Sequence, residues 1–309
     1  MLSLFNLNLL VFLVIFGSTS GGHEVLYKFK PAEDDLKPND IAIVQFDTRE
    51  LQDYWNSSAR WNKYFAMSHG HQYVYLSMKG KCHYKLHRLS PVWCKVKAMV
   101  DVNSMLPSAK AFVYLDSDVV ITSNYSMSDI IGYIRKDLRW DMAQKPIAFN
   151  QDGPGWACKH TMKHAYPFCF NSGALFWIKN EVSLDILRRW WESAGDSYST
   201  SRFPNKWRRA WPWEQANLHK IYDQNKTRIM MLSFPNEPYL PWTSKKNPRS
   251  QYPTDAVEPW CFCHWPGANC FITHHCASKT QKAKIIENYL VPHNFAVNPV
   301  YITPCDEFS

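Results

Sequence analysis

Ala111-Phe112-Val113-Tyr114-Leu115-Asp116-Ser117-Asp118 is the stretch on which the fold turns. Five apolar or aromatic residues in a row read as a strand buried on both faces, the kind a parallel sheet uses. The strand ends in two carboxylates one residue apart. Open α/β sheets bind ligands outside the carboxyl ends of their strands, so Asp116 and Asp118 stand at a binding rim. Left buried and unpaired, the two charges would be strongly destabilising. A hard divalent cation relieves their repulsion and prefers oxygen ligands. The plainer reading is an exposed acidic turn or a helix cap, because D-x-D by itself is a common triplet.

Outward from this stretch, strands and helices alternate. Ile41 to Phe46 is a compact β-type run ending at Asp47-Thr48, as a nucleotide-binding α/β domain begins. Residues 50–68 read as a helix, 72–76 as a strand and 93–106 as a helix entered through Pro91. Downstream, 126–138 reads as a helix, 142–149 contains a strand, and 169–178 is a strand holding Asn171-Ser172-Gly173. A helix follows over 183–193, with Ser183 as its cap and Leu184, Leu187, Trp190 and Trp191 along one side. Then come a helix at 213–222, a strand at 228–234 and a helix at 279–289. This order predicts a mainly parallel, Rossmann-like α/β sheet flanked by helices on both faces. One catalytic domain spans 40–291, preceded by a polar stem over 23–39 and followed by an irregular tail over 292–309.

Composition narrows the class. Hydrophobic residues make up 46% and charged residues 20% of the 309, which excludes a disordered chain. The net charge of +8 comes from scattered Lys and Arg without a basic block, so nucleic-acid binding is disfavoured. A mild positive excess suits a pyrophosphate-bearing substrate as well as it suits a solvated surface. Leu2 to Phe16 is nearly all apolar and is followed by small residues through Gly22. It reads as a signal peptide over 1–22, or a short signal anchor, and places the chain in the lumen of the secretory pathway, Golgi or ER. Sequons at Asn56, Asn124 and Asn225 agree. In that oxidising compartment most of the nine Cys should pair, with at least one left over.

Three further stretches carry polar groups in apolar settings. Gly173 in Asn171-Ser172-Gly173 permits close approach of a ligand or of another backbone, or marks a β-bulge. Trp213-Glu214-Gln215 opens a helix, where acids are ordinary helix stabilisers or, among aromatic walls, sugar contacts. Cys261 to Cys276 combines Cys, His and Gly. A zinc site is disfavoured there by the C-x-C spacing, and disulfides pinning a loop that presents His264 fit better. His69, His71, His83 and His87 read as structural.

Taken in order, Asn62 to His71, Trp93 to Ala98, Tyr114 to Asp118, Asn171 to Phe176, Trp213-Glu214-Gln215 and His264-Trp265-Pro266-Gly267 resemble the pattern of glycosyltransferase family 34. That family groups fungal galactosyl- and mannosyltransferases with plant xyloglucan xylosyltransferases. The resemblance implies a GT-A fold and a retaining transfer of a hexose or pentose to a glycan or glycoprotein hydroxyl. UDP-sugars are favoured as donors over GDP-mannose. It implies Mn2+ (or Mg2+) held by Asp116, Asp118 and His264, and donor contacts from Asp47, Lys95, Asp116, Ser117, Asn171, Ser172, Gly173 and Gly267. Glu214 and Gln215 would flank the anomeric carbon as the catalytic pair. Glu214 departs from the family's Asp by one methylene, and Ala268-Asn269 departs from its usual Cys and polar or basic pair. Alternatives are a secreted carbohydrate-binding pseudoenzyme of the same fold, a metal-dependent nucleotide-sugar hydrolase, or a glycogenin-like glycosyltransferase, which also pairs D-x-D with His-x-x-Gly.

Overall fold

The computed structural model describes residues 36–49, 53–78, 82–122, 125–136, 139–152, 169–195, 213–232, 272–274 and 300–302. All of them lie within the compact unit Pro31–Ser309. The strands are β1 (Ile41–Asp47), β2 (Gln72–Met78), β3 (His83–Tyr84), β4 (His87–Arg88), β5 (Ala111–Asp116) and β6 (Val119–Ile121). They continue with β7 (Ile147–Asp152), β8 (Cys169–Ile178), β9 (Ile229–Leu232), β10 (Ile272–His274) and β11 (Val300–Ile302). The helices are α1 (Asp53–Ser68), α2 (Cys94–Met105), α3 (Met127–Lys136), α4 (Glu181–Glu192) and α5 (Trp213–Gln224).

Seven strands form one sheet in the order β11-β2-β1-β5-β8-β7-β9. The pairings β11–β2, β2–β1, β1–β5 and β7–β9 are parallel, while β8 runs antiparallel to both of its neighbours. The sheet is therefore mixed and mainly parallel, as the alternating elements imply. β1 is buried along its whole length and β5 up to Leu115, which is why β5 reads as an unbroken apolar run and β1 as one interrupted by Gln45. Phe112 stacks on Trp177 across β5 and β8, and the core extends to Trp190 and Trp191 of α4.

Caps and joints follow local chemistry. The cap of α4 is Asn180, whose side chain accepts from the Ser183 N–H; Ser183 is the third helical residue and closes the reciprocal bond. The expectation that Ser183 itself caps the helix is thus off by one turn, because a hydroxyl serves either end of a capping box. Ser126 caps α3 by accepting from the Asp129 N–H. His71 adds to that helix start. Its Nε2 accepts from the Met127 N–H at 2.9 Å and its Nδ1 bonds the Pro38 carbonyl at 2.8 Å. The structural reading of His71 holds. A disulfide joins Cys82 to Cys94, in line with expected cysteine pairing.

The Asn225 sequon is not presented to solvent. Asn225 is 5% exposed and its Nδ2 donates to the Ile221 carbonyl, so a glycan there is incompatible with this fold. Asn124, the helix expected at 279–289 and, apart from β10, the Cys261 to Cys276 stretch lie outside the described residues. No described helix is long and apolar enough to cross a membrane.

Candidate active site

The register of the sheet brings the carboxyl ends of β1 and β5 side by side, with Phe46 opposite Asp116. Sequence periodicity places each strand; only the pairing sets Asp47 and Asp116 at one rim. Asp47 is buried and both of its oxygens are engaged by Arg49, through the backbone N–H and the guanidinium. The guanidinium also donates to Ser117 Oγ at 3.1 Å and lies 3.8 Å from the centroid of the Trp55 ring. The group this corner presents to solvent is thus the half-exposed Arg49, with Asp47 holding it. Ser117 is buried, and its carbonyl accepts from Ser58. Asn62 pins the next turn by bonding Val119 and Ile121.

Lys95 is the hub of the site. It stands in the first turn of α2 and is 7% exposed. Its Nζ lies 3.2 Å from both oxygens of Asp116, 2.9 Å from Glu214 Oε1 and 3.3 Å from the Ser172 carbonyl. Three ammonium hydrogens serve three protein groups, so as placed Lys95 holds the carboxylates of the site. Burial alone would pull its pKa down, but the charges of Asp116 and Glu214 outweigh it and hold the ammonium above its ordinary value. Tyr114 OH donates to Asp116 Oδ1 at 2.9 Å. Burial first, then the Asp116 charge, pushes the Tyr114 phenol well up, so it remains a donor.

Behind the rim, Gln45 Nε2 donates to the Asp116 carbonyl, and Tyr73 OH donates to Gln45 Oε1. Sequence reasoning passed over Gln45 and Arg49. A glutamine inside a six-residue β-type run was the available signal, since a polar group buried there must have a partner.

Asn171-Ser172-Gly173 resolves to the bulge reading. The β7–β8 register jumps between Phe149 opposite Leu175 and Asn150 opposite Asn171, leaving Ser172, Gly173 and Ala174 without β7 partners. Side chains satisfy the freed backbone: Asn171 Oδ1 accepts from the Gly173 N–H and Asn150 Nδ2 donates to the Ala174 carbonyl. The bulge aims Ser172 at the site, where its Oγ donates to Glu214 Oε1 at 2.8 Å. Glu214 lies in the first turn of α5, 3% exposed, with Trp190 Nε1 donating to its carbonyl. Glu214 Oε2 is buried and has no partner among the described residues. Gln215 is half-buried beside it.

Thus Lys95, Asp116, Ser172 and Glu214, drawn from α2, β5, β8 and α5, meet around one ammonium. Asp47, Ser117 and Arg49 form the adjoining corner. Asp118 is half-buried just before β6. His264 and Gly267 lie outside the described residues. Among the described residues no group of three metal-binding side chains is assembled. The donor chemistry nevertheless fits a hard cation. Asp116 is 24% exposed, and Asp116 and Glu214 together carry one more negative charge than the Lys95 ammonium between them.

The architecture is that of the GT-A α/β class. The chain is similar to a glycosyltransferase involved in the glycosylation of the major capsid of PBCV-1. The two share 15% identity at a TM-score of 0.50, over 80% of this chain and 98% of that one. The galactosyltransferase LgtC, in complex with donor and acceptor sugar analogues, aligns over 82% of this chain and 98% of that one, with 10% identity and a TM-score of 0.45. No family model matches the chain, and no curated protein matches it in sequence.

Proposed function

We propose that the protein is a retaining, metal-dependent glycosyltransferase that moves a hexose or pentose from a nucleotide-diphosphate sugar to a hydroxyl of a glycan or glycoprotein, and that it belongs with glycosyltransferase family 34. UDP-sugars are the favoured donors. The observation that carries this reading is the Lys95 hub, which ties the first acid of the D-x-D triplet to Glu214 at the carboxyl rim of a GT-A sheet.

Asp116, Asp118 and His264 would hold Mn2+ or Mg2+, which supplies charge neutralisation for a departing diphosphate. Arg49, steadied by Asp47 and Ser117, faces the nucleotide or its phosphates. Glu214 Oε2, buried and unsatisfied, is an acceptor waiting for a sugar hydroxyl, and Gln215 lies next to it. Glu214 Oε1 already accepts from Lys95 and Ser172, which blunts the carboxylate as a nucleophile. The pair therefore serves better to steady positive charge at the anomeric carbon than to bond to it. In the transfer the anomeric C–O bond to phosphate breaks and the bond to the acceptor oxygen forms on the same face. The acceptor proton leaves with the departing phosphate oxygen. The setting proposed is the lumen of the Golgi or ER, with the N-terminal segment cleaved or retained as an anchor.

The test is a screen of UDP- and GDP-sugars with manganese, reading nucleotide release with and without glycan acceptors. Acceptor-dependent release that is lost in Asp118→Ala and in EDTA is expected. Rapid release of free sugar without an acceptor would point to the hydrolase instead. Glycan binding that ignores EDTA, with no release from any donor, would leave the carbohydrate-binding alternative standing.

A further inference from the structure

Gln45 is out of character in β1, where every other residue before Asp47 is apolar. It is 0% exposed, and a buried amide needs partners for both of its ends. It finds one of them at the tip of the neighbouring strand. Its Nε2 donates to the Asp116 carbonyl at 3.2 Å, and its Oε1 accepts from Tyr73 OH at 2.8 Å. The Asp116 carboxylate is held separately, by Tyr114 OH donating to Oδ1 at 2.9 Å.

These two grips come from opposite faces of the sheet. Gln45 pairs in register with Leu115 of β5 and with Tyr75 of β2, and partners in register share a face. Side chains alternate along a strand. Gln45, Tyr73, Tyr75 and Leu115 therefore lie on one face, and Tyr114 and Asp116 on the other. The backbone of Asp116 is fixed from the first face and its carboxylate from the second. Among the described residues Oδ1 accepts from both Tyr114 and Lys95, and Oδ2 from Lys95 alone. The Lys95 ammonium has further acceptors in Glu214 and the Ser172 carbonyl, so it can yield Oδ2 without losing all its partners. Stability does not ask for the Gln45–Tyr73 pair. Polar partners buried together can be exchanged for apolar groups of the same shape at little cost. What the pair supplies, and an aliphatic side chain would not, is a fixed direction for the end of β5.

We propose that Tyr114, Gln45 and Tyr73 are positioning residues for a divalent cation: they fix Asp116, commit its Oδ1 to protein donors and leave Oδ2 as the oxygen that meets the metal. This rests on the reading of Asp116 as a metal ligand. None of these side chains touches metal or substrate; each acts through Asp116. Partners that orient a ligand from behind set metal affinity by about ten- to a hundredfold.

The test is manganese uptake by the full chain without donor, read from the fall in the electron paramagnetic resonance signal of free Mn2+. Tyr114→Phe keeps the ring and loses the hydroxyl, while Lys95 still serves Oδ1. Gln45→Met/Tyr73→Phe removes both partners of the other grip together. The two variants act from opposite faces, so one remains informative where the other fails to fold. Each should weaken Mn2+ binding about tenfold, with the urea midpoint of the double variant close to that of the wild type. In donor turnover the manganese concentration giving half-maximal rate should rise by the same factor, with kcat at saturating metal retained. Tyr133→Phe, which removes a buried phenol from α3, should leave uptake unchanged. Folded variants that take up Mn2+ as the wild type does overturn the proposal, as does an equal loss in Tyr133→Phe or a fall in kcat that excess metal does not restore. A wild-type chain that takes up no manganese overturns the metal-ligand reading as well, which tells the two failures apart.

Discussion

Replacing Lys95 by methionine removes the one cation between two carboxylates while nearly preserving side-chain volume. Glu214 is 3% exposed and would keep only the Ser172 hydroxyl on Oε1, with Oε2 already unpartnered. Breaking a buried pair by deleting one member costs about 3–5 kcal/mol, a large part of the ~5–15 kcal/mol that holds a domain folded. Glu214→Gln should cost less, about 1–2 kcal/mol, because Lys95 keeps Asp116. The double variant Lys95→Met/Glu214→Gln has no stranded charge at 214. It should regain about 1–3 kcal/mol relative to the sum of the single changes. With urea slopes of roughly 1–3 kcal/mol/M, that difference moves the unfolding midpoint by about 1 M. The pH dependence carries a sign as well. The ammonium's pKa is raised in the folded state, so its contribution is fully present below the ordinary lysine value of about 10.4 and is lost as pH climbs through the folded one. Lys95→Met should flatten that alkaline loss. Strictly additive single and double variants would refute the reasoning, because they would mean that Lys95 and Glu214 do not share a site.

Other expectations rest on separate observations. His71 is held neutral, first by burial and then by its neighbour His69, with Nε2 accepting from the Met127 N–H. Its folded pKa is therefore lowered, and stability should fall as pH drops below about 6.5, by up to ~1.4 kcal/mol per pH unit. His71→Gln should remove that slope in acid-dependent urea titrations, and an unchanged slope would assign it to other groups. Reducing the disulfide or making Cys82→Ser/Cys94→Ser should cost about 2–4 kcal/mol, read as a lower thermal midpoint. An unaltered midpoint would show that Tyr84 and Leu89 hold the β3–β4 hairpin without it. Mass analysis of the folded protein, expressed through a secretory pathway, should find no glycan on Asn225, whose amide is buried against Ile221; full occupancy there would contradict the packing of α5.

Much of the fold is written in local pattern, and much of the site is not. β5 announces itself because a strand buried on both faces is an apolar run, and β1 and β8 do so through runs broken only by Gln45 and by Asn171-Ser172-Gly173. The acids at the end of β5 follow from the same pattern, since a run of buried residues has to end where charge begins. Asn171-Ser172-Gly173 shows where local reading stops: its residues fit either a bulge or a close approach to a ligand. Only the register against β7 shows that the backbone bulges and turns Ser172 toward Glu214.

The sequence by itself determined the order of β1, α1, β2, α2, β5, α3, β7, β8, α4, α5 and β9 and the position of the acidic pair at a strand's carboxyl end, because periodicity and burial act between residues a few positions apart. Tertiary structure alone decided that α2 lends Lys95 to Asp116 and Glu214 and that β8 runs against its neighbours. It also decided that Asn225 is shut in while Leu86 is thrust out. These depend on which elements become neighbours, a matter of summed packing and charge between segments remote along the chain. No single segment carries that information in its own composition.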